Sequence, residues 1–480
     1  MSESEQSSDA VPLCVDLDGT VLRTDLMWEC ITALLRRRPW CVLLLPVWWS
    51  RGRPYLKARL AREARPDLDC LPVRGRLIEW LRSQAKSGRQ LLLVSGSHHW
   101  LVRRMARRFG FFSGAEGTRR GVNLSGGPKA EWLVARFGER GFDYAGDRGV
   151  DLRVWRRARE AILVDVPRRL EGAAREVALR VRVWDEAGRA GIGAWMQELR
   201  VRQWLKNLVV LAPAFTSYKF EETGVLLSCL VGAACFSLLA SALYVFNDIV
   251  DLEFDRRHPD KCGRPLASGV LGMREALVAM PLLIAGAVAA AALLPAGFRW
   301  VLVAYGILSI FYTLALKRYV VVDALALTVM FLLRIVGGGW AAGIGVSNWL
   351  MGFALFLFLS LALAKRYAEL RALREAQRDN AEGRGYRSAD LEEVGFLGVA
   401  SGLLSVFVVA IYIGSAEAAA SYGNRTMLWA LCLVIVFWVG RLWLINHRGE
   451  LHEDPVRFVT HDPASYVSAA AAMAAIFLAR

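Results

Sequence analysis

The chain has 480 residues, 55% of them hydrophobic and 22% charged, and a formal net charge of +15. This length allows two or more domains, and the hydrophobic fraction is high for a wholly soluble protein. The positive charge lies in an arginine-rich stretch and beside apolar runs, without interleaved aromatic residues, so it argues against a nucleic-acid partner and favours contact with anionic lipid. The eight cysteines form no CxxC pair, and nothing indicates a disulfide framework or a zinc site.

The sequence changes character near Arg200, where a mixed, arginine-rich region gives way to long apolar runs separated by charged loops. We therefore predict a soluble α/β domain over residues 1–195 and an all-α membrane domain over residues 196–480. The N-terminal segment MSESEQSSDA is polar and acidic, which predicts no cleavable signal peptide and a cytoplasmic first domain.

Polar motifs follow the predicted strands of the first domain. A strand over residues 11–15 ends in Asp16-Leu-Asp18-Gly-Thr20, and a strand over residues 91–94 ends at Ser95. Further along the chain come Lys129, in Gly-Gly-Pro-Lys, and the sequence Gly-Asp147-x3-Asp151. Because the carboxyl ends of parallel strands open on one crevice, we expect these side chains to meet there.

The order DxDGT, Ser, Lys, GDxxxD resembles the haloacid dehalogenase-like phosphohydrolases, which implies a Rossmann-like fold with a helical cap. By that resemblance Asp16 is the nucleophile that forms an aspartyl-phosphate, and Asp18 is the general acid and base. The resemblance also implies a phosphate site and a Mg²⁺ site, with these residues: Thr20, Ser95 and Lys129 for phosphate, and Asp16, Asp18, Asp147 and Asp151 for the metal. The alternative is an inactive version of the fold that serves only for docking.

The insert at about 24–90 is predicted to be a helical cap over the crevice. Within it, the segment Trp40–Trp49 is apolar, carries three tryptophans and has arginines on both sides. It is too short to span a bilayer, but such flanks suit a segment that lies in the membrane interface. Ordinary packing of the cap on its own core is an equally good interpretation.

Apolar runs of membrane-spanning length recur after Trp204 and predict nine spans, of which the first and last are the weakest. Their predicted bounds are 204–218, 224–246, 275–295, 298–316, 319–342, 348–364, 394–415, 426–445 and 463–479. The loops after the second, fourth, sixth and eighth spans hold most of the lysines and arginines of this half. The positive-inside rule therefore places these loops in the cytoplasm and the C-terminus outside.

The second predicted span ends in three aspartates, Asp248, Asp251 and Asp255, spaced i, i+3, i+7, so that on a helix they project from one face. Three carboxylates at a membrane interface repel one another unless a cation lies between them, and their hard oxygens suit Mg²⁺ bridged to substrate phosphates. Lys261 and Arg264 follow at a distance suited to binding the same phosphates. An ordinary solvated acidic loop is the alternative.

The run from Asn247 reads NDxxDxxxDxxHPxKxxRPxAxG and resembles the first aspartate-rich motif of the UbiA superfamily of intramembrane prenyltransferases. It looks most like the branch that makes polyprenyl-phosphate phosphoribose. The resemblance covers about residues 200–480 and includes RQWLKN at 202–207, KRYAEL at 365–370, the glycines at 337–339 and Asp454-Pro455. It implies that Asp248, Asp251 and Asp255 are catalytic metal ligands and that substrate is bound by Lys206, Asn207, Asn247, Lys261, Arg264, Tyr312, Lys317, Asp323, Arg334, Lys365, Arg366 and Glu369.

One departure from the aromatic prenyltransferases is informative. Those enzymes commonly carry a second DxxxD pair after the fourth span, whereas Asp323 is followed here by Ala-Leu-Ala-Leu. One acidic cluster with many cations suits a phosphoribosyl diphosphate donor better than a prenyl diphosphate. Arg334, inside a span, also needs a partner or a wet cavity, and a structural ion pair with Asp323 is the alternative to a substrate role.

The sequence thus predicts a bifunctional enzyme of the cytoplasmic membrane, with both active sites on the cytoplasmic side and one Mg²⁺ site per domain. The membrane domain would transfer 5-phosphoribosyl from phosphoribosyl diphosphate to polyprenyl phosphate, and the first domain would remove the 5-phosphate. Two alternatives stay open: a prenyltransferase acting on an aromatic or other acceptor, and a lipid-phosphate transporter with a regulatory soluble domain. A homo-oligomer is compatible with the sequence.

Overall fold

The computed structural model describes residues 11–119, 121–186, 191–377, 379, 385–451, 458 and 462–480. The chain forms two compact units, one comprising Met1–Val201 with Tyr244–Pro281 and the other Arg202–Leu243 with Leu282–Arg480. The aspartate-rich segment therefore belongs to the same unit as the N-terminal domain. The sequence boundary predicted at 195/196 stays a prediction.

The first unit contains a six-stranded sheet in the order β3-β2-β1-β4-β5-β6. Every neighbouring pair is parallel. The inner strands are apolar and buried on both faces, as expected for a parallel sheet covered by helices. The strands are β1 Leu13–Val15, β2 Leu91–His98, β3 Gly114–Thr118, β4 Asp143–Gly146, β5 Ala161–Val164 and β6 Val181–Trp184.

Helices of the first unit connect these strands and cover the sheet. Four of them lie between β1 and β2 in the predicted cap, and α1 is capped by Asp25, whose carboxylate accepts a hydrogen bond from the Met27 amide. The helices are α1 Leu26–Arg37, α2 Leu45–Ser50, α3 Arg53–Ala64, α4 Gly75–Lys86, α5 His99–Phe109, α6 Gly127–Phe137, α7 Leu152–Trp155, α8 Arg168–Val177 and α9 Ile192–Glu198. The predicted α/β domain is confirmed.

The Trp40–Trp49 segment forms a 3-10 helix, Pro39–Leu44, followed by α2. Trp48 is buried and packs in the domain core, whereas Trp40 and Trp49 are 65% and 54% exposed and Leu43 is 79% exposed. One face of the segment therefore packs in the domain core, as the packing interpretation expects, and the other is apolar and exposed. The interpretation that the segment lies in the membrane interface stays a prediction.

The helical half follows a short 3-10 helix, Val201–Leu211. Its helices are α10 Ala212–Thr216, α11 Thr223–Val250, α12 Leu252–Arg257, α13 Met273–Ala291, α14 Ala296–Leu314, α15 Val322–Ala342, α16 Asn348–Glu375, α17 Leu391–Ile413, α18 Ala416–Ser421, α19 Leu428–Arg448 and α20 Pro463–Ala479. Within the second unit, a Cβ at Gly398 of α17 would lie 2.1 Å from the Trp443 ring of α19. The glycine therefore permits close approach of these helices, a common device in membrane proteins.

Seven helices among the described residues are long and apolar enough to cross a membrane, and they correspond to the second through eighth predicted spans. Of the remaining two, residues 463–479 form a shorter apolar helix of 17 residues. Residues 204–218 form only the 3-10 helix and α10, because this stretch is short and contains a proline at position 213. A multi-pass helical membrane domain is confirmed, and the count of nine stays a prediction.

Candidate active sites

The carboxyl ends of the parallel strands bring the predicted residues of the N-terminal domain together. The Lys129 ammonium lies 3.0 Å from Asp16 Oδ1 and donates a hydrogen bond to the Tyr144 hydroxyl at 2.7 Å. That hydroxyl donates to Asp151 Oδ1 at 3.0 Å. Asp16, Lys129 and Asp151 thus form one connected network, as the motif order predicts.

Both carboxylate oxygens of Asp18 accept hydrogen bonds. Ser95 and Ser97 donate to Oδ2 at 2.6 and 2.7 Å, and the Leu26 amide donates to Oδ1 at 2.8 Å. Burial, followed by the negative charges of Asp25 and Asp16, raises the pKa of Asp18 to about 6. Asp18 therefore exchanges a proton near neutral pH, which suits a general acid and base.

Three carboxylates of this crevice fit a divalent cation. Asp16, Asp147 and Asp151 each offer an oxygen, and these oxygens lie within 4.8 Å of one another. Burial and the neighbouring carboxylates raise the pKa of Asp147 to about 8, although Arg148 opposes the shift, and a bound cation would offset this crowding. Gly19 has φ +80° and a Cβ there would lie 2.1 Å from Asp147 Oδ2. The group does not include Asp18, whose carboxylate faces Ser95 and Ser97.

Two residues near the crevice were not predicted from the sequence. Ser97 binds Asp18, as described, and Lys57 of α3 donates to the Gly96 carbonyl at 2.6 Å and to Asn123 Oδ1 at 2.8 Å. Burial lowers the pKa of Lys57. The only signal in the sequence was that Lys57 is one of two lysines in an insert otherwise rich in arginine. Lys57 therefore ties the cap to the end of β2 and to the loop after β3.

The aspartate-rich segment is helical, with one break. Helix α11 ends at Val250 and α12 begins at Leu252, but the hydrogen bonds from the Asp251 amide to the Asn247 carbonyl and from the Asp255 amide to the Asp251 carbonyl continue across it, at 2.8 and 2.9 Å. The helical hydrogen-bond pattern therefore continues through the break, and the common face of all three carboxylates stays a prediction.

Asp248 and Asp255 are buried and converge on one cation of the protein. Arg264 Nη1 lies 3.1 Å from Asp248 Oδ1 and 2.6 Å from Asp255 Oδ2. Arg200 Nη2 lies 2.6 Å from the same Asp248 oxygen. The carboxylates are thus arranged to share a positive charge, and a cation could take the position of the guanidinium. Lys261, predicted to bind phosphate, is half-buried in the same loop.

Glu198 and Arg200 are further charged residues of this region that sequence reasoning missed. Glu198 is 1% exposed, and burial, followed by the charge of Asp248, raises its pKa to about 7. Both residues precede the RQWLKN sequence by only a few positions, which was the signal available. Asn247 Nδ2 lies 3.4 Å from Asp248 Oδ1, so this predicted residue also belongs to the cluster.

In the second unit, four predicted substrate-binding residues form one cluster, of which Arg366 and Asp323 are buried. Arg366 Nε lies 2.6 Å from Asp323 Oδ2, Arg366 also pairs with Glu369, and its Nη2 lies 3.2 Å from the Tyr312 hydroxyl. The Tyr386 hydroxyl, which was not predicted, donates to Asp323 Oδ1 at 2.7 Å. The side chains of Arg366 and Asp323 are 1% and 0% exposed.

Arg334 and Asn207 form a second buried group. Arg334 donates to Asn207 Oδ1 at 2.7 Å, to the Tyr305 hydroxyl at 2.9 Å and to the Met330 carbonyl at 2.7 Å. Asp323 pairs instead with Arg366, so the alternative of an ion pair between Arg334 and Asp323 is wrong for the described residues. Arg334 is therefore hydrogen-bonded to polar groups within the second unit, as a charge inside a membrane span requires.

The remaining predicted cations, Lys206, Lys317 and Lys365, are half-buried. Lys206 lies in the 3-10 helix Val201–Leu211, Lys317 in Leu316–Arg318, and Lys365 on α16. Their roles as phosphate ligands stay predictions. Asp454 and Pro455 lie outside the described residues.

Comparison with known families gives the class of protein. Residues 208–461 match the UbiA prenyltransferase family, which is more than half of the chain. The chain belongs to this family of enzymes. The N-terminal α/β domain lies before the matched residues.

Three curated relatives are similar to this chain. An uncharacterized protein, y4nM, of Sinorhizobium fredii is 32% identical over 98% of this chain and 91% of its own length. Nodulation protein NoeC of Azorhizobium caulinodans is 30% identical over 57% of this chain and 89% of its own length. Decaprenyl-phosphate phosphoribosyltransferase of Mycobacterium tuberculosis is 34% identical over 179 residues, which are 36% of this chain and 59% of the relative.

Two solved structures are distant neighbours. A UbiA homolog from Archaeoglobus fulgidus bound to DMAPP and Mg²⁺ has 18% identity and a TM-score of 0.45, covering 59% of this chain and 99% of its own. A substrate-bound phosphoserine phosphatase has 14% identity and a TM-score of 0.27, covering 36% of this chain and 92% of its own. The placement of the N-terminal motifs therefore rests on the strand order and contacts of this chain itself.

Proposed function

We propose that the membrane domain transfers 5-phosphoribosyl from phosphoribosyl diphosphate to polyprenyl phosphate, and that the N-terminal domain removes the 5-phosphate from the product. The observation that carries the proposal is the pair of buried carboxylates, Asp248 and Asp255, that share one cation position beside the phosphate-binding candidates Lys261 and Arg264. The similarity to decaprenyl-phosphate phosphoribosyltransferase supports the choice of donor.

In the proposed transfer, an oxygen of the lipid phosphate attacks C1 of the ribose and forms a new C–O bond. The bond from C1 to the diphosphate breaks, and the diphosphate leaves with the electron pair. Arg264 pairs with both Asp248 and Asp255. It would exchange these carboxylates for donor phosphate oxygens when substrate enters, and Lys261 would add a second positive charge.

In the proposed hydrolysis, an Asp16 oxygen attacks the phosphorus of the 5-phosphate, and the bond from phosphorus to O5 breaks. Asp18 gives its proton to O5, then takes a proton from the water that hydrolyses the aspartyl-phosphate, which releases inorganic phosphate and restores Asp16. Lys129, 3.0 Å from Asp16 Oδ1, would stabilise the charge on the phosphoryl oxygens. Ser95, which holds Asp18 here, and Thr20 would contribute hydroxyl groups to the same oxygens.

We assign one Mg²⁺ to each domain. Asp248, Asp251 and Asp255 would hold the first, and Asp16, Asp147 and Asp151 the second. When bound, the metal would neutralise charge on the diphosphate leaving group in one site and on the transferred phosphoryl group in the other. The convergence of buried carboxylates in both places supports this assignment.

We place both sites on the cytoplasmic side of the cytoplasmic membrane. The support is the distribution of lysine and arginine among the loops, in particular the basic residues that follow α11 and α16. Phosphoribosyl diphosphate is a charged, water-soluble donor, so a site that opens to the cytoplasm would be supplied directly.

Prenyl transfer from a prenyl diphosphate to an aromatic or other acceptor is the second candidate, and membership of the UbiA family favours it. The absence of a second DxxxD pair after Asp323 argues against it. Lipid-phosphate transport with a regulatory N-terminal domain is less well supported, because a transporter would not need the catalytic residues of the crevice.

The test uses the purified protein in detergent with Mg²⁺, labelled phosphoribosyl diphosphate and a polyprenyl phosphate. We expect a labelled lipid and free diphosphate, and no product from geranyl or farnesyl diphosphate with an aromatic acid. Efficient prenylation of the acid would establish the second candidate instead. Absence of any diphosphate release from either donor would favour transport.

A further inference from the structure

A buried ion pair joins the cap of the N-terminal domain to the aspartate-rich segment. The Glu29 carboxylate of α1 accepts two hydrogen bonds from the Arg256 guanidinium of α12, at 2.8 and 2.7 Å. Both side chains are 4% exposed. Thr24 Oγ1 donates a third hydrogen bond to Glu29 at 2.6 Å. A bidentate pair of this kind fixes the orientation of the guanidinium as well as its distance.

The surroundings of the pair show that the contact is a packed interface. Trp28 and Leu35 of α1 pack against a buried cluster of the aspartate-rich segment and the loop after it. Two more ion pairs flank it, Arg36 with Glu253 and Arg257 with Asp67. The buried members of the cluster are Val245, Ile249, Leu252, Leu266, Ala267, Leu271, Met273 and Ala276.

Arg256 also connects α12 to the loop that carries Arg264. Its Nε donates to the Ala267 carbonyl at 3.1 Å. Helix α12 has only six residues, and its hydrogen bonds to α11 across Asp251 are joined by contacts such as this one, which help to fix its rotation. The neighbouring residue Asp255 pairs with Arg264.

The start of α1 contacts the other candidate site. The Leu26 amide donates to Asp18 Oδ1 at 2.8 Å, and Glu29 lies one turn further along the same helix. One helix therefore binds the proposed acid and base of the phosphatase at its first residue and the aspartate-rich segment one turn later.

We propose that Glu29 is a positioning residue for the transferase reaction. Through Arg256 it holds α12 in the rotation that directs Asp255 to Arg264 and to the donor and metal that would replace that contact. This inference rests on the proposed function of the aspartate-rich segment. It adds that the N-terminal domain supplies part of the structure of the transferase site, independently of its own chemistry.

The experiment compares Glu29→Gln, which keeps the shape of the side chain and removes its charge, with Glu63→Gln as a matched control. Glu63 pairs with Arg38 and Arg59 at a more exposed position of the same cap. The readouts are kcat, the KM for each substrate and the Mg²⁺ concentration that gives half-maximal rate. For Glu29→Gln we expect kcat/KM for phosphoribosyl diphosphate to fall about 10- to 100-fold and the Mg²⁺ requirement to rise. The polyprenyl phosphate KM should change little, and the control should behave as wild type.

A double-mutant comparison tests whether Glu29 acts through Arg256. The variant Glu29→Gln with Arg256→Gln should lose no more activity than the worse single variant, because both changes break one contact. Losses that multiply would overturn the inference, as would an unchanged donor KM and Mg²⁺ requirement in Glu29→Gln. Arg256→Lys keeps the charge but cannot form the bidentate pair, so it should show a smaller loss of the same kind.

Hydrogen exchange separates this inference from the proposed function. Backbone amides of residues 252–257 should exchange faster in Glu29→Gln than in wild type or Glu63→Gln. This expectation does not depend on which substrate the membrane domain uses. Equal exchange in all three proteins would contradict the positioning role. If wild type transfers no phosphoribosyl group but exchange is faster in Glu29→Gln, the proposed function fails and the contact of Glu29 with α12 stands.

Discussion

Asp248 and Asp255 bury two negative charges, and the protein offsets their repulsion with Arg264 and Arg200. In the proposed reaction a bound metal ion would take over these carboxylates from the guanidinium and free Arg264 for the diphosphate. The buried position strengthens both interactions, since charges attract more strongly where water is excluded.

We expect Asp248→Ala or Asp255→Ala to lower transfer by about 100-fold or more, because a missing carboxylate leaves the charge of the leaving group uncompensated. Asp260→Ala is the control, since this residue lies in the same loop with its side chain 86% exposed. Diphosphate release in detergent measures the effect. Near-normal turnover in either variant, or in wild type with EDTA, would remove the metal assignment.

Arg366 and Asp323 lead to a different expectation. Their mutual burial predicts that Arg366→Met destabilises the membrane domain by about 3–5 kcal/mol, because it removes the Arg366 guanidinium from the buried Asp323 carboxylate. Asp323→Leu combined with Arg366→Met should recover much of that loss. Arg374→Met on the same helix is the control, since its pair with Glu392 is exposed. Denaturant unfolding in detergent gives the free energies. Unchanged stability with a raised donor KM would show that Arg366 serves substrate binding instead.

At this scale the sequence predicted the residues better than their partners. Spacing and motif order placed Asp16, Lys129 and Asp151 in one network because strand ends of a parallel sheet must meet. Nothing local to Arg264 revealed that it would pair with Asp255 and Asp248 in the absence of substrate, and nothing near Glu29 revealed Arg256, which is 227 positions away. Such pairs depend on the packing of distant segments.

Elements with strong apolar patterns were the most predictable. The second through eighth spans were recovered because a run of about 20 apolar residues admits few alternatives in a membrane. The first predicted span does not form a long helix. Residues 204–218 contain a proline, and they contain polar residues with buried hydrogen bonds, such as the one that Asn207 donates to the Ser237 hydroxyl. The break of α11 at Asp251 was equally invisible to a periodicity argument.

The Trp40–Trp49 segment carries a prediction of its own. Its exposed face should lie in the membrane interface, because tryptophan and leucine beside arginines favour that environment. A fluorophore on Leu43→Cys in a Cys262→Ser background, in lipid nanodiscs, should be quenched by nitroxide-labelled lipid. A label on Leu179→Cys, also exposed on the N-terminal domain, is the control. Equal quenching at both positions would mean that the segment has no particular affinity for lipid.

For the whole molecule, the proposed function is two successive reactions on the same lipid. In the N-terminal domain the catalytic candidates are held in place: Asp16 pairs with Lys129, and Asp18 accepts a hydrogen bond from Ser95. The membrane domain belongs to a family of transferases and resembles one whose product would carry a 5-phosphate. Fusion of the two in one chain would keep the intermediate close to the second site, which raises its effective concentration there.

The central claim is tested most directly by the mass of the lipid that accumulates in wild type and in Asp16→Asn. The substitution keeps the shape of Asp16 and removes the nucleophile, so transfer should proceed and hydrolysis should stop. We expect wild type to form polyprenyl-phosphoryl ribose and Asp16→Asn to accumulate the same lipid with its 5-phosphate, while Asp248→Ala forms neither but still dephosphorylates the added intermediate. Identical lipids from wild type and Asp16→Asn would contradict the account, because the N-terminal domain would then act on another substrate or on none.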